Sequence, residues 1–343
     1  MKSQIVMEKN TNTQVFQDLL NKIDLGRLIE KPYSFNGGAL HKVYKLKTDK
    51  GIYAVKQLNS YVAAKPNFKK SYELSELIAY EFAKINIPAV HALSFNNEFV
   101  ITIHSEYFIL YPYVDGSIIK DIHLSINQID SISSIYSAMH SANLQISGVD
   151  TAHYDYFEDD YWIQLITQTQ DTELIKLIPE ILRWNQMYYA YIPDLRREEV
   201  ISHRDMHIQN VLWTEDKQPH IIDWECAGLM NPMMEVIGYG LEWSGIILNQ
   251  DINFPLLERL LTQYFKTSTL HWSTSVQHAF YGWLGHCVFA WTELNIRRML
   301  GKVSVDAEEI EQGRTIIKEK MIPCLNFIRK NEQKIIDSIT SYT

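Results

Sequence analysis

Three polar side chains near the middle of the chain have the types and the spacing that metal-assisted chemistry requires. Asp205 is followed five residues later by Asn210, and Asp223 comes directly after a short apolar run. Carboxylate and carboxamide oxygens are the ligands that hard divalent cations prefer, and a carboxylate can also act as a general base. The sequence therefore predicts a cation site with a catalytic base beside it.

The elements that must position these side chains form a short hairpin. Two β-type runs, residues 210–213 and 220–224, flank the turn signal at residues 216–219. Asp205 and Asn210 lie at one end of this hairpin and Asp223 at the other. Folding the hairpin should bring the two carboxylates and the carboxamide to one place.

The order of these residues resembles the catalytic loop and metal-binding Asp of kinases. The resemblance is closer to the aminoglycoside phosphotransferase and choline kinase superfamily than to protein kinases. The second loop reads Asp-Trp-Glu rather than Asp-Phe-Gly, and Met206-His207 replaces the usual Leu-Lys. A helix begins near Met233, which leaves no room for a long activation segment.

This resemblance implies a role for each residue of the central stretch. Asp205 would accept or orient the proton of the substrate hydroxyl, and Asn210 and Asp223 would bind Mg²⁺. His203 would support the catalytic loop by hydrogen bonding to backbone. The implied reaction moves the γ-phosphoryl group of ATP or GTP to a hydroxyl of a small molecule.

Two features before residue 60 fit the same reaction. Gly37 and Gly38 form a tight turn between β-type runs, and the amides of such a turn can approach phosphate. Lys56 lies in the β-type run at residues 52–58, like the strand-borne lysine of the kinase-like fold. We expect both features to hold the nucleotide phosphates.

A helix predicted at residues 71–85 should carry an acid that pairs with Lys56. Glu73, Glu76 and Glu81 are the candidates. Family register, counted back from the Ile-Pro pair that ends the helix, favours Glu76.

The resemblance also implies the architecture. It predicts an α+β, bilobal, protein-kinase-like fold whose nucleotide-binding lobe, residues 1–110, has an antiparallel sheet and one main helix. Residues 111–116, where Pro112 and Gly116 interrupt the sheet, would form the hinge, with Tyr111 and Tyr113 at the adenine site. The larger, mostly helical lobe, residues 117–343, would hold the catalytic loop and the acceptor.

Composition narrows the class of protein. The chain has 343 residues, three scattered cysteines and a net charge of -9, which argues against nucleic acid as a partner. It has no run of ~18 apolar residues that could span a membrane. The polar residues 1–12 do not resemble a secretory signal, so we expect a cytoplasmic protein.

The charge is unevenly distributed. Residues 1–110 carry 14 Lys and Arg against 10 Asp and Glu, whereas the remainder carries 18 against 31. An acidic cleft concentrates cations, so we expect a cationic acceptor, aminoglycoside-like or an amino alcohol. The acids proposed to contact it are Glu225, Glu242, Asp159 and Asp160, although a solvated acidic surface explains part of the excess.

Two other functions remain open at this point. The chain could be a kinase-fold binding or structural protein without turnover, or an enzyme closer to the protein Ser/Thr kinases. The acceptor, the choice between ATP and GTP, and the oligomeric state are not determined by the sequence.

Overall fold

The computed structural model describes residues 13–35, 41–119, 124–269 and 273–343. Gly37 and Gly38 lie outside these described residues. The chain divides into two compact units. The first comprises Met1–Ser117 together with Leu212–Cys226, and the second comprises Ile118–Val211 and Ala227–Thr343.

The secondary structure is listed here in chain order. The strands are β1 (Tyr33–Phe35), β2 (Lys42–Lys47), β3 (Ile52–Gln57), β4 (Ile101–Ile103), β5 (Glu106–Pro112), β6 (Val200–Ser202), β7 (Val211–Trp213), β8 (Pro219–Ile221) and β9 (Gly228–Met230). The helices are α1 (Thr13–Lys22), α2 (Ser60–Ala63), α3 (Phe68–Lys84), α4 (Ile126–Ala142), α5 (Asp159–Gln168), α6 (Thr172–Ile175), α7 (Ile178–Leu195), α8 (Pro232–Trp243), α9 (Phe254–Thr267), α10 (Val276–Trp283), α11 (Ala290–Met299), α12 (Ala307–Ile316) and α13 (Ile322–Tyr342).

The first unit is built on an antiparallel five-stranded sheet with strand order β1-β2-β3-β5-β4. The apolar residues of α1 recur at helical spacing, so that one side of the helix is buried against the sheet. Phe16 packs on Tyr44 and Phe108, with ring centroids 4.7 and 6.0 Å apart. This packing fixes β2 and β5 on either side of β3.

The hairpin of β7 and β8 joins this first unit through backbone hydrogen bonds. The amide of Val90 donates to the carbonyl of Ile221 over 2.8 Å, and Ser117 and Trp213 exchange two bonds of 3.0 and 2.9 Å. Gly116 allows the close approach, because a Cβ there would lie 3.1 Å from the Trp213 carbonyl oxygen. The turn that follows β8 is thereby placed in the same unit as β3 and α3.

The second unit is mostly helical, with β6 and β9 as its antiparallel strand pair. Among its described residues, four tryptophans are fully buried in the core: Trp162, Trp184, Trp243 and Trp283. Asn231 caps α8, and its carboxamide donates to the carbonyls of Leu195 and Glu198 and to the hydroxyl of Thr274. One buried side chain therefore joins the ends of three segments of the chain.

The predicted α+β fold class is confirmed, with an N-terminal antiparallel sheet and a helical C-terminal part. Helices α10 and α11 are joined by a π-helical segment, Leu284–Phe289, so the hydrogen-bond spacing changes between them. The pattern of apolar residues does not reveal this change of hydrogen-bond spacing. Within the described ranges, no helix is both long and apolar enough to cross a bilayer.

The packing of α3 generates a stability prediction with a matched control. Ile78 is fully buried on α3, whereas Ile85, at the end of the same helix, is 43% exposed. We expect Ile78→Ala to lower the free energy of unfolding by about 2–5 kcal/mol, since it removes buried methyl groups and leaves a cavity. Ile85→Ala should cost less than about 1 kcal/mol. Urea denaturation checks both, and equal losses would contradict the packing described here.

Candidate functional site

Lys56 lies on the central strand β3 and is 8% exposed. Its ammonium group donates to Asp223 over 2.6 Å and lies 3.2 Å from Glu225. Burial alone would lower the pKa of Lys56, but the two carboxylates outweigh it and raise the pKa. Lys56 is therefore charged, and its head is held against the turn that follows β8.

Asp223 adopts an unusual backbone conformation. Its φ of 63° lies in the left-handed region, which Asp tolerates better than most residues. A short 3₁₀ turn, Trp224–Cys226, follows at once. The buried Trp224 anchors this turn, since its indole donates to the Ile221 carbonyl over 3.1 Å and its ring lies 5.5 Å from that of Phe82 on α3. The strained turn directs Asp223 at Lys56.

Glu225 has three polar neighbours in the first unit. Besides Lys56, its Oε2 lies 3.3 Å from Nε2 of His41 and 3.5 Å from the hydroxyl of Tyr72. Burial would raise the pKa of Glu225, but the charge of Lys56 and the hydrogen bond from His41 lower it to about 2. Sequence analysis missed His41 and Tyr72. The position of His41, just after the double glycine, was the available signal.

The ion pair expected between Glu76 and Lys56 is not formed. Glu76 is buried on α3, where it accepts hydrogen bonds from the amide of Ala92 over 2.9 Å and the hydroxyl of Tyr111 over 2.5 Å. Burial raises the pKa of Glu76 to about 7, although these two bonds and the charge of Lys56 oppose the shift. Among the described residues, the carboxylates within 4 Å of Lys56 are Asp223 and Glu225.

The other two acids of α3 are also engaged elsewhere. Glu73 accepts from the amides of Phe99 and Val100, both over 2.8 Å. Glu81 pairs with Lys84 one turn along the helix. Of the three candidates, only Glu76 faces the interior near Lys56, and its oxygens are used to hold β5 and residue 92.

Asp205 and Asn210 lie in the second unit, in the loop that follows β6. The carboxamide nitrogen of Asn210 donates to the backbone oxygen of Asp205 over 2.8 Å and to its carboxylate over 3.0 Å. Because a carboxylate only accepts, the NH₂ group must face Asp205, and this leaves the carboxamide oxygen of Asn210 turned away. The loop therefore orients the carboxylate of Asp205 and keeps an oxygen ligand of Asn210 available.

Buried residues of the second unit fix the backbone of this loop. The carbonyl of Met206 accepts from Tyr136 and from Trp243, each over 2.9 Å. The amide of Arg204 donates to the fully buried Glu235 over 2.9 Å, and Glu235 lies 3.0 Å from Nε2 of His140. The support of the loop thus comes from α4 and α8.

Tyr239, one turn after Glu235 on α8, is a contributor that sequence analysis missed, and the support that Glu235 gives to the loop was not predicted either. Tyr239 donates to the carbonyl of Arg204, and its oxygen lies 3.4 Å from the Asp205 carboxylate. Glu235 and Glu242 are the two acids of a largely apolar helix, which was the available signal for Glu235, because buried acids are rare unless they are paired.

The three remaining acids expected at the acceptor site do not form one cluster of contacts. Glu242 accepts from the indole of Trp283 over 3.2 Å, and burial raises its pKa to about 7. Asp159 begins α5 and accepts from Gln186 over 2.7 Å, whereas Asp160 is exposed in the same first turn. Acids in that first turn suit the helix dipole.

The two tyrosines expected at the adenine site differ in their surroundings. Tyr111 is on β5, and its hydroxyl is bonded to Glu76. Tyr113 follows β5; its amide donates to the carbonyl of Ile52 over 3.3 Å, and its ring lies 4.0 Å from the ammonium of Lys45. Their part in binding adenine remains a prediction.

Comparison with known families agrees with this geometry. The phosphotransferase enzyme family, known as APH, matches residues 34–271. The chain belongs to this family. The matched range contains the predicted site residues from Gly37 to Glu242. No curated protein sequence matches the chain significantly.

Solved structures of a phosphotransferase and of two kinases have the same fold as this chain at low sequence identity. Spectinomycin phosphotransferase APH(9)-Ia, in complex with ADP and spectinomycin, has a TM-score of 0.65 at 11% identity, covering 96% of this chain and 98% of its own. Ethanolamine kinase from Plasmodium vivax has a TM-score of 0.59 at 15% identity, with 92% and 87% covered. Choline kinase from Cryptosporidium parvum Iowa II has a TM-score of 0.57 at 14% identity, with 96% and 99% covered.

The buried Glu76 generates a prediction for the pH dependence of stability. Its pKa is raised in the folded state from an ordinary value of 4.5 to about 7, so the folded state binds this proton more tightly than the unfolded state does. The resulting stabilisation is complete below about pH 4.5 and is lost as the pH rises through about 7. We expect the wild type to lose free energy of unfolding of the order of 2 kcal/mol in this way. Glu76→Gln, which mimics the protonated acid, should not show this loss.

Urea denaturation of wild type and variants between pH 5 and 8 checks this expectation. Glu81→Gln, which changes a surface acid on the same helix, is the control and should keep the pH dependence of the wild type. An unchanged slope in Glu76→Gln would contradict the raised pKa.

Proposed function

We propose that this family member is a small-molecule kinase that transfers the γ-phosphoryl group of ATP or GTP to a hydroxyl group. The observation that carries the proposal is the contact of 2.6 Å between Lys56 and Asp223. A lysine suited to phosphate and a carboxylate suited to a divalent cation lie side by side. Together they are suited to bind the triphosphate of a nucleotide and the cation that accompanies it.

The residues of this region fit a magnesium ion by charge and by ligand type. Lys56 carries one positive charge against the two negative charges of Asp223 and Glu225, so a second cation would balance the group. Asn210, in the second unit, is proposed from the sequence motif alone, and its carboxamide oxygen is also a hard ligand. We assign Asp223 and Asn210 as the magnesium ligands. When bound, Mg²⁺ would neutralise charge on the phosphates during transfer.

The protein's own groups then have separate tasks. Lys56 binds phosphate oxygens, as Gly37 and Gly38 would through their amides. Asp205 accepts or orients the proton of the attacking hydroxyl, and Asn210 holds its carboxylate in place. Because the transition state of phosphoryl transfer is loose, most of the catalysis comes from positioning and electrostatics.

For the acceptor, we retain the proposal of a small molecule with positive charge. Support comes from negative groups near Asp205 in the second unit. The carboxylate of Asp205 is partly exposed there, and a cationic acceptor would meet it. Amino sugars and amino alcohols are the compounds to test first.

A direct experiment separates the enzyme from a kinase-fold binding or structural protein. Thermal shift with ATP or GTP, with and without Mg²⁺, tests nucleotide binding. A product screen across aminoglycosides, amino alcohols and neutral polyols then tests transfer. A Mg²⁺-dependent shift together with a phosphorylated product supports the proposal, whereas the absence of any nucleotide-dependent shift would refute it.

Asp205→Asn tests the base. The substitution keeps the shape of the side chain but removes its ability to take a proton, so we expect turnover to fall by ~10²–10⁴-fold. The affinity for Mg·ATP should change by less than about 3-fold. Asp251→Asn, at an exposed acid of the same unit, serves as the control. Wild-type turnover in Asp205→Asn would show that the base is another group.

Asp223→Ala tests the metal ligand. Asp223 supplies formal charge to the cation, so its loss should abolish Mg²⁺-dependent nucleotide binding, measured by titration calorimetry. The loss in Asn210→Ala should be smaller, because a neutral oxygen is removed. Asp216→Ala, at an exposed position in the turn between β7 and β8, should bind as wild type does. Unaltered binding in Asp223→Ala would end the metal assignment.

A further inference from the structure

Glu225 occupies the place beside Lys56 that the sequence assigned to Glu76. Its carboxylate lies 3.2 Å from the lysine ammonium. Glu76 is not among the described carboxylates within 4 Å of that ammonium, and its two oxygens accept from the amide of Ala92 and the hydroxyl of Tyr111. A buried charge is tolerated only where partners are fixed around it, so the groups that orient Glu225 matter.

His41 is the first of these groups, and its proton can be located from its contacts. The amide of Asn59 donates to Nδ1 of His41 over 3.0 Å, so Nδ1 is an acceptor and carries no proton. In the neutral ring the proton is then on Nε2, which faces the Tyr72 hydroxyl at 2.7 Å and Glu225 at 3.3 Å. His41 therefore presents a donor in the direction of Glu225.

Tyr72 is the second group. Its oxygen lies close to Nε2 of His41, and its hydroxyl proton can be donated to Glu225, 3.5 Å away. Both side chains are buried: His41 is 7% exposed and Tyr72 is 9% exposed. The carboxylate of Glu225 is thus surrounded by donors from α3, from the start of β2 and from β3.

We propose that Glu225, oriented by His41 and Tyr72, is the acid that positions Lys56 for phosphate binding in this chain, in place of an acid on α3. The proposal rests on the nucleotide-binding function proposed above. Glu225 then belongs to the nucleotide site and does not contact the acceptor.

A double-substitution cycle tests whether Glu225 acts through Lys56. The probes are Mg·ATP and adenosine, which lacks phosphates, and the readout is the ratio of their affinities by calorimetry. Glu225→Gln should lower the preference for Mg·ATP roughly 10-fold, as expected for the loss of a charged hydrogen bond. In a Lys56→Met background the same substitution should cause no further loss.

Four outcomes are decisive. A preference equal to or above that of wild type in Glu225→Gln overturns the proposal. So does a loss that persists in the Lys56→Met background, since Glu225 would then act directly on metal or substrate. A similar loss of preference in Glu76→Gln would show that the acid on α3 positions Lys56 instead. We expect the preference of that variant to stay within about 2-fold of wild type. A wild-type protein that binds neither Mg·ATP nor Mg·GTP refutes the proposed function itself.

His41 requires a test that separates positioning from folding. His41→Leu should lower the preference for Mg·ATP about 3- to 10-fold, and His41→Gln should recover most of it, because its amide N–H replaces the donor at Nε2. His104→Leu, at an exposed histidine of the same unit paired with Asp18, should leave the ratio unchanged. If His41→Leu weakens adenosine and Mg·ATP equally, His41 only supports the fold and the proposed orienting role fails.

Discussion

The candidate nucleotide site depends on one ion pair, the buried ammonium of Lys56 against Asp223. Removing a charge from water costs several kcal/mol unless partners are held in place. Two carboxylates provide those partners here, and the raised pKa of Lys56 reflects their influence. The sheet, α3 and the hairpin of β7 and β8 must therefore keep their relative positions for the lysine to remain charged and buried.

The turn after β8 meets this requirement with local strain and with an anchor. Asp223 takes a left-handed conformation, and Trp224, buried beside Phe82, prevents the turn from relaxing. The chain therefore supplies two acids within three residues, one at either side of the tryptophan. This arrangement explains how Glu225 reaches Lys56 from the same turn as Asp223.

The catalytic loop of the second unit follows a different principle, because its backbone is held by buried neutral donors and one buried acid. Tyr136 and Trp243 fix the carbonyl of Met206, and Glu235 fixes the amide of Arg204. Each bond replaces water at a group that would otherwise be buried without a partner. The orientation of Asp205 is thus determined largely by α4 and α8, helices distant from it in sequence.

The sequence predicted the fold class and the family correctly, because the spacing of Asp205, Asn210 and Asp223 is local and specific. It also predicted Lys56 on a strand and the hairpin at residues 210–224. The acid that meets Lys56, in contrast, depends on the packing of the folded chain. Glu73, Glu76 and Glu81 share one helix and carry equivalent side chains, so their partners depend on the surrounding packing. The amides near residues 92 and 99 and the hydroxyl of Tyr111 engage Glu76 and Glu73, and this leaves Lys56 to Asp223 and Glu225, which lie about 170 residues further along the chain.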